Sequence, residues 1–240
     1  MKISLIIPFY DEQDNVARVL DEVQSVVQDK ALDCEIIAVD DGSRDGTRDA
    51  LTRYAQTLSS LKILSFPRNR GKDAALFAGM ASARGEVIVM MDGDGQNDFR
   101  DVVAMLPELG RVDAVFGSRE KRCDPRSKII ISRLAFFFRK IVLGDDVRDT
   151  GCGLKVMKRQ ALQSLLPMRG VHRFIPVLFK LAGYSYKVMP VHHRLRPHGR
   201  SKFSLTRLYF VPTLVDLIFM WWYKVNYISR EVREAGHDSG

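Results

Sequence analysis

Two carboxylates one residue apart, Asp92 and Asp94, flank Gly93 directly after a short apolar run. Acids spaced this way at a strand end can approach a divalent cation from adjacent positions, and the glycine lets the backbone turn tightly between them. Magnesium and manganese take oxygen ligands, commonly one or two carboxylates plus substrate phosphates. A metal held there would offset charge building on a diphosphate leaving group. The same Asp-Gly string also serves as an ordinary polar turn. A second acidic pair opens the string Asp40-Asp41-Gly42-Ser43-Arg44-Asp45-Gly46-Thr47. Asp40 or Asp41 can accept from a pyrimidine imide, a purine amine or ribose hydroxyls, while Ser43 and Asp45 can instead cap the next helix. In Asn69-Arg70-Gly71-Lys72, Asn69 is a candidate helix cap, and Arg70 or Lys72 can hold a diphosphate. His172, His192, His193 and His198 lack a metal spacing with these acids and read as surface or phosphate-neighbouring groups.

The elements that must position these residues alternate through the first half. Strands are expected at Lys2–Pro8, Glu35–Val39, Lys62–Phe66, Val87–Met91 and Asp113–Phe116. Helices are expected between them at Asn15–Gln28, Asp45–Leu58, Lys72–Ala83 and Phe99–Leu109. The strands are short and apolar without alternation, the pattern of a parallel sheet covered by helices on both faces. Such a doubly wound α/β domain binds ligands outside the carboxyl ends of its strands. Pro8-Phe9-Tyr10-Asp11-Glu12, Asp40-Asp41 and Asp92-Gly93-Asp94-Gly95-Gln96 all fall at those ends, so three polar clusters converge on one rim. Beyond Gly117 the expectation is an apolar and basic helix at Ser127–Leu143, a loop from Gly144 to Gly153 and a strand at Leu154–Met157. A helix near His172–Ala182, a strand near Tyr184–Val188 and a final apolar helix follow. Residues 1–204 read as one catalytic domain, 205–230 as a C-terminal apolar, interfacial helix and 231–240 as a frayed tail.

Composition limits the partners. The formal charge of +8 points to an anionic partner: nucleic acid, an anionic membrane or phosphorylated substrates. Three cysteines with no CxxC or Cys/His spacing give neither a disulfide framework nor a zinc site, and fit a reduced, cytosolic compartment. The N-terminal apolar run is too short for a secretory signal. Arg207, Pro212 and Asp216 interrupt the stretch Leu205 to Tyr223, which falls short of the roughly 20 apolar residues of a spanning helix.

Taken together, these strings resemble the family-two inverting glycosyltransferases of GT-A fold. Gly117-Ser118-Arg119, Asp149-Thr150-Gly151-Cys152-Gly153 and Arg196-Pro197-His198-Gly199-Arg200-Ser201-Lys202-Phe203 are similar to the dolichol-phosphate mannose synthase branch, including its bacterial polyprenyl-phosphate glycosyltransferases. The resemblance implies a Rossmann-like, mostly parallel sheet flanked by helices, with amphipathic helices at the C-terminus. It implies that Pro8, Tyr10, Glu12 and Asp41 cradle the nucleoside and that Asp92, Asp94 and Gln96 hold Mg2+ or Mn2+ and the diphosphate. It places Arg119 at the acceptor phosphate and closes Arg200 with Lys202 over the phosphates. Asp149 then orients the sugar or the acceptor loop, or serves the structure alone. Asp11 stands where the family often has Asn, and Cys152-Gly153 replaces a more usual Gly-Phe near the expected sugar pocket.

The implied partners are a nucleotide sugar and a polyprenyl phosphate. A lipid phosphate is largely ionised near pH 7, its second pKa being about 6, so its attack on the anomeric carbon needs no general base. Arg suits such an acceptor because its planar fork binds phosphate bidentately. Basic residues beside aromatics in Ser127–Leu143 (Lys128, Arg133, Arg139, Lys140 with Phe136, Phe137, Phe138) and in Leu208–Tyr223 suit an interfacial helix on an anionic leaflet. Packing on the sheet, or in a homo-oligomer, is the alternative for both. The expected place is the cytoplasm, peripherally on the inner face of the cytoplasmic membrane. A glycosyltransferase acting on a soluble saccharide would share the metal motifs but not need Arg119 or the Arg200–Lys202 cluster. A nucleotidyltransferase would carry a Gly-rich, Lys-containing loop after the first strand, and none is evident. A nucleic-acid-binding protein would present a basic rim where this one is acidic.

Overall fold

The structure is a computed structural model that describes residues 1–119, 126–197 and 210–227. Its centre is a seven-stranded sheet of order β3-β2-β1-β4-β6-β5-β7. The strands are β1 (Ile3–Phe9), β2 (Cys34–Asp40), β3 (Leu61–Ser65), β4 (Val87–Met90), β5 (Ala114–Arg119), β6 (Lys155–Lys158) and β7 (Tyr186–Val191). The helices are α1 (Gln13–Asp29), α2 (Thr47–Ala55), α3 (Lys72–Ser82), α4 (Arg100–Met105), α5 (Arg126–Leu143), α6 (Ile175–Leu181) and α7 (Phe210–Val225).

The uninterrupted apolar strands are explained by burial on both faces. Along β1, Ile3, Leu5, Ile7 and Phe9 enter one core and Ile6 the other; along β4, Val87 and Val89 oppose Ile88 and Met90 in the same way. On the first face α1 supplies Val16, Val19, Leu20, Val23 and Val26, spaced three or four apart as one helical stripe requires. Ala75, Leu76 and Met80 of α3 and Val177 and Leu178 of α6 cover the second face. Each of the larger side chains, Val, Leu, Ile, Phe or Met, contributes on the order of 1.5–3 kcal/mol on full burial.

β1 pairs parallel with β2 on one side and β4 on the other, so the chain order reverses between β1 and β4. That junction is the topological switch point, where a doubly wound sheet opens its crevice. Asp92 follows β4 there. One strand departs from the expectation of a parallel sheet: β6 lies antiparallel to both β4 and β5. Its amino end therefore meets the rim at which its neighbours' carboxyl ends emerge. The loop before it, Asp149 to Leu154, is delivered to that rim.

The expected helix Phe99–Leu109 is α4 followed by a 3-10 turn at Leu106–Gly110, with Pro107 inside the turn. The helix expected near His172–Ala182 is likewise split, into a 3-10 turn at Val171–Arg173 and α6. α5 packs against α7, and Met220 of α7 is fully buried in the second core. Asp216 of α7 pairs with Arg173 at 2.7 Å. No helix among the described residues is long and apolar enough to cross a membrane. Arg200, Lys202, His198 and the tail 231–240 lie outside the described residues.

Candidate active site

Two loops at the rim are stitched together first. After β1 the chain turns sharply at Asp11, whose φ is 47°. The Asp11 N–H donates to Ser43 Oγ (3.0 Å), Glu12 N–H to Thr47 Oγ1 (2.8 Å), and Arg44 N–H to Asp11 Oδ1 (2.7 Å). Ser43 therefore serves the β1 loop and not, as expected, the start of α2. Asp45 does reach that start, accepting from Thr47 N–H at 3.0 Å. Asp40, buried at the end of β2, accepts Ser43 N–H at 3.0 Å. Pro8 and Tyr10 lie half-buried beside this seam.

Asp41 organises the next loop. Its carboxylate accepts from Arg70 N–H (2.7 Å), Gly71 N–H (2.9 Å) and Asn69 Nδ2 (3.0 Å). Burial raises its pKa against those amide bonds, and the adjacent Asp40 charge adds to the rise. Asn69 is accordingly an Asp41 partner; α3 begins after Gly71 with no side-chain cap. The loop sets Lys72 at the first position of α3, where its ammonium pairs with Asp92 Oδ1. Burial opposes both charges, but their mutual attraction raises the Lys72 pKa and lowers that of Asp92.

Asp94 has the opposite environment. Burial first, and then the Asp92 charge, push its pKa up to about 6. The Asp92 charge makes Asp94 costlier to ionise, so the site is short of positive charge, and a divalent cation between the two would relieve it. The donor set fits Mg2+ or Mn2+: Asp92, Asp94 and the Gln96 amide are hard oxygen ligands. Gln96 N–H donates to Asp94 Oδ1 (3.1 Å) and its Nε2 donates to the Arg194 carbonyl (3.1 Å), which leaves the side-chain oxygen for a ligand. No group of three His, Cys, Asp or Glu among the described residues forms a closed metal cage. A cation held by this pair would need further oxygen ligands, such as phosphates, to complete its shell.

Arg196, given no role above although inside the last string quoted there, bridges the β1 loop and Asp94. Its guanidinium pairs with Glu12 and lies 3.9 Å from Asp94 Oδ2. Glu12 is thus a buried partner of Arg196 and of Asn15 Nδ2 (2.6 Å). The strap carrying Arg196 is fastened by Arg194, which pairs with both Glu22 and Asp98.

Arg119 ends β5 and meets Asp149 through a fork: Nε donates to Oδ2 and Nη2 to Oδ1, each at 2.7 Å, with Arg119 N–H adding a third bond at 3.1 Å. Asp149 is therefore the carboxylate that holds Arg119 in place. The loop that carries Asp149 also touches the acids: Gly151 lies beside Arg119, and Gly153 packs on Asp92. A Cβ at Gly153 would stand 2.3 Å from Asp92 Oδ2, so only glycine lets the β6 loop pack on that carboxylate.

Two further pairs are not evident in the sequence. His172 is not a surface group: its Nδ1 meets Asp73 Oδ1 at 2.7 Å, one residue from Lys72, and Asp73 also accepts from Gly170 N–H at 2.7 Å. Burial works against the Asp73 carboxylate, yet the His172 bond brings its pKa down to about 2. Arg139, counted with the membrane-facing basic residues, is buried against Asp145 at 2.7 Å. His192 fits the surface expectation, its ring largely exposed beside Asp101.

A seven-stranded GT-A sheet with an acidic pair at its switch point defines a class, the GT-A glycosyltransferases. The chain belongs to glycosyl transferase family 2, which residues 4–166 match. It is 32% identical, over its whole length, to the dodecaprenyl-phosphate galacturonate synthase of Rhizobium johnstonii, of which it covers 71%. Over 90% of its length it is 31% identical to an undecaprenyl-phosphate 4-deoxy-4-formamido-L-arabinose transferase of Pseudomonas fluorescens, of which it covers 64%. The chain thus spans about two thirds of the length of these curated relatives. The glucosyl-3-phosphoglycerate synthase of Mycobacterium tuberculosis, solved with Mg2+ and uridine diphosphate, superposes with a TM-score of 0.69. That match has 20% identity and covers 90% of this chain and 79% of the other.

Proposed function

We propose that this glycosyltransferase moves a sugar from a nucleotide diphosphate sugar to a polyprenyl phosphate, with inversion, at the inner face of the cytoplasmic membrane. The observation that carries the proposal is one loop touching two half-sites: Gly153 packs on Asp92, which pairs with Lys72, and Gly151 lies beside Arg119, which pairs with Asp149. The relatives named for dodecaprenyl and undecaprenyl phosphate support the acceptor class.

In this reading Pro8, Tyr10, Glu12, Asp40 and Asp41 border the nucleoside, and Lys72 balances the diphosphate. Asp92, Asp94 and Gln96 hold Mg2+ or Mn2+, which when bound supplies positive charge at the leaving diphosphate. Arg119, kept rigid by Asp149, receives the acceptor phosphate, and Arg200 and Lys202, outside the described residues, supply further positive charge for the phosphates. The acceptor oxygen arrives already ionised, so the protein's work is positioning and charge balance, without proton abstraction. Leu134, Phe137, Phe138 and Ile141 of α5 are exposed, as are Ile218, Phe219, Trp221 and Trp222 of α7. An apolar surface of this kind suits a bilayer carrying the lipid acceptor. Flotation with anionic vesicles at low salt tests that contact; failure to float removes it.

The deciding assay is release of nucleoside diphosphate from a panel of nucleotide sugars with and without polyprenyl phosphate. Release that requires the lipid phosphate is the expected result. Equal release with a soluble saccharide would replace the acceptor by a hydroxyl.

A further inference from the structure

Lys155 opens β6 and is 3% exposed, between Met90 of β4 and Phe116 of β5. Lys72, Arg119 and Arg196 each face a carboxylate. The Lys155 ammonium has none within ion-pair reach among the described residues. It donates instead to two carbonyls of the preceding loop, Thr150 (3.2 Å) and Cys152. A buried charge without a counter-ion is costly, and burial brings this ammonium's pKa down to about 8. Its position nevertheless has a consequence on the other side of the loop.

Every peptide bond described is trans, so each carbonyl turned towards Lys155 turns the N–H of its own peptide plane the opposite way. The Thr150 carbonyl shares its plane with the Gly151 N–H, and the Cys152 carbonyl with the Gly153 N–H. Both N–H groups are therefore directed from the interior towards the rim. Neither has a hydrogen-bond partner among the described residues, whereas the Cys152 N–H between them closes the turn on the Asp149 carbonyl at 3.1 Å. Gly151 is exposed, and a Cβ on it would lie 3.6 Å from Arg119 Nη2. An ammonium bonded to the carbonyl of a peptide withdraws electron density and strengthens its N–H as a donor. Outward backbone N–H groups backed by positive charge make an anion site.

Resting on the acceptor reading above, we propose that the Gly151 N–H, polarised through its peptide by Lys155 and flanked by Arg119, binds an oxygen of the acceptor's phosphate. Lys155 is then a positioning residue that touches no substrate. Glycine at 151 leaves that N–H open to a phosphate oxygen beside the guanidinium. The Gly153 N–H, next to Asp92, lies on the donor side.

The test compares Lys155→Met and Lys155→Gln, which remove the charge, with Lys155→Arg, which keeps it. Steady-state KM is measured separately for polyprenyl phosphate and for the nucleotide sugar, alongside the thermal midpoint. Loss of a charge-assisted contact raises the acceptor KM by about tenfold or more. The nucleotide-sugar KM stays near wild type, and Lys155→Arg recovers most of the acceptor KM. Lys155→Gln carries the test if Lys155→Met does not fold. An unchanged acceptor KM in the neutral variants overturns the proposal. So does a rise confined to the nucleotide sugar, which would give the N–H groups to the diphosphate, or a parallel rise of both KM values with a lowered midpoint. A wild-type enzyme that ignores polyprenyl phosphate would instead remove the acceptor reading itself.

Discussion

Gly153→Ala offers a sharp test of how the two half-sites meet. The φ of Gly153 is not in the left-handed region, so alanine is tolerated by the backbone and the whole effect comes from its methyl group. That carbon would stand 2.3 Å from Asp92 Oδ2, 2.4 Å from Cγ and 2.7 Å from Oδ1. Ordinary contact needs about 3.4–4.0 Å. Either the carboxylate or the Asp149–Gly153 loop must therefore retreat by roughly 1 Å. Misplacement of a reacting group by about 1 Å costs on the order of a hundredfold in rate, or about 2.7 kcal/mol of barrier. If Asp92 moves, its pairing with Lys72 and its approach to a metal are disturbed together. The assay is transfer rate against Mg2+ or Mn2+ concentration, with thermal unfolding in parallel. The expected result is a kcat lowered about a hundredfold, a higher half-saturating metal concentration and a nearly unchanged midpoint. A kcat within about threefold of wild type, with unaltered metal dependence, would refute the claim that this contact places Asp92.

Asp94→Ala at saturating metal should lose at least a hundredfold in kcat, on the order of one electrostatic stabiliser of a leaving group; near-normal turnover would sink the metal assignment. Asp145→Ala should destabilise the fold by about 3–5 kcal/mol, because it leaves Arg139 buried without its partner; denaturant melts read this directly. Asp73, with its folded pKa depressed to about 2 by His172, contributes stability above its ordinary carboxylate range. That contribution, about 2 kcal/mol by the usual conversion, disappears as pH falls from about 4 through about 2. An Asp73→Asn chain should be less stable at pH 7 and lose less on acidification; parallel acid-unfolding curves would contradict the pairing.

The sheet was legible because strands buried on both faces cannot hide their apolar runs. Ile36, Ile37, Ala38 and Val39 are all fully buried, two towards each core, and leave no alternation to misread. The reversal of β6 was not legible. Direction is set by partners far away in sequence, and Lys155-Val156-Met157-Lys158 reads the same whichever way it runs. The acids at the strand ends were visible by type and spacing, but their partners were not. Ser43 was expected to cap its own helix and instead takes an N–H from 32 residues away. Asn69 was likewise drawn to Asp41, because a buried carboxylate with open acceptor sites outcompetes an exposed helix end. For Lys155 a signal existed: a lysine set directly between Leu154 and Val156 in an apolar segment asks what it bonds to. Arg139 was misjudged because helical periodicity does not show that a loop six residues on supplies Asp145.

In the proposed reading, the reversed strand lets a mostly parallel sheet bring two anionic substrates together. Parallel strands bring only their carboxyl ends to the rim: β2 and β4 bring Asp40, Asp41, Asp92 and Asp94, a surface that repels phosphate, and β5 brings Arg119. Inserting β6 antiparallel between β4 and β5 delivers an amino-terminal loop to the same rim, directly against Asp92. That loop brings Asp149 to lock the Arg119 fork and Lys155 to add positive charge from behind. On that reading the donor side gathers acids for a metal while the neighbouring loop receives the acceptor phosphate. Had β6 run parallel, its carboxyl end would occupy this place, and Lys155 would sit at the opposite edge of the sheet. In the proposed reading the polarity of this four-residue strand places the loop that, with Arg119 of β5, forms the basic acceptor half beside the acidic donor half.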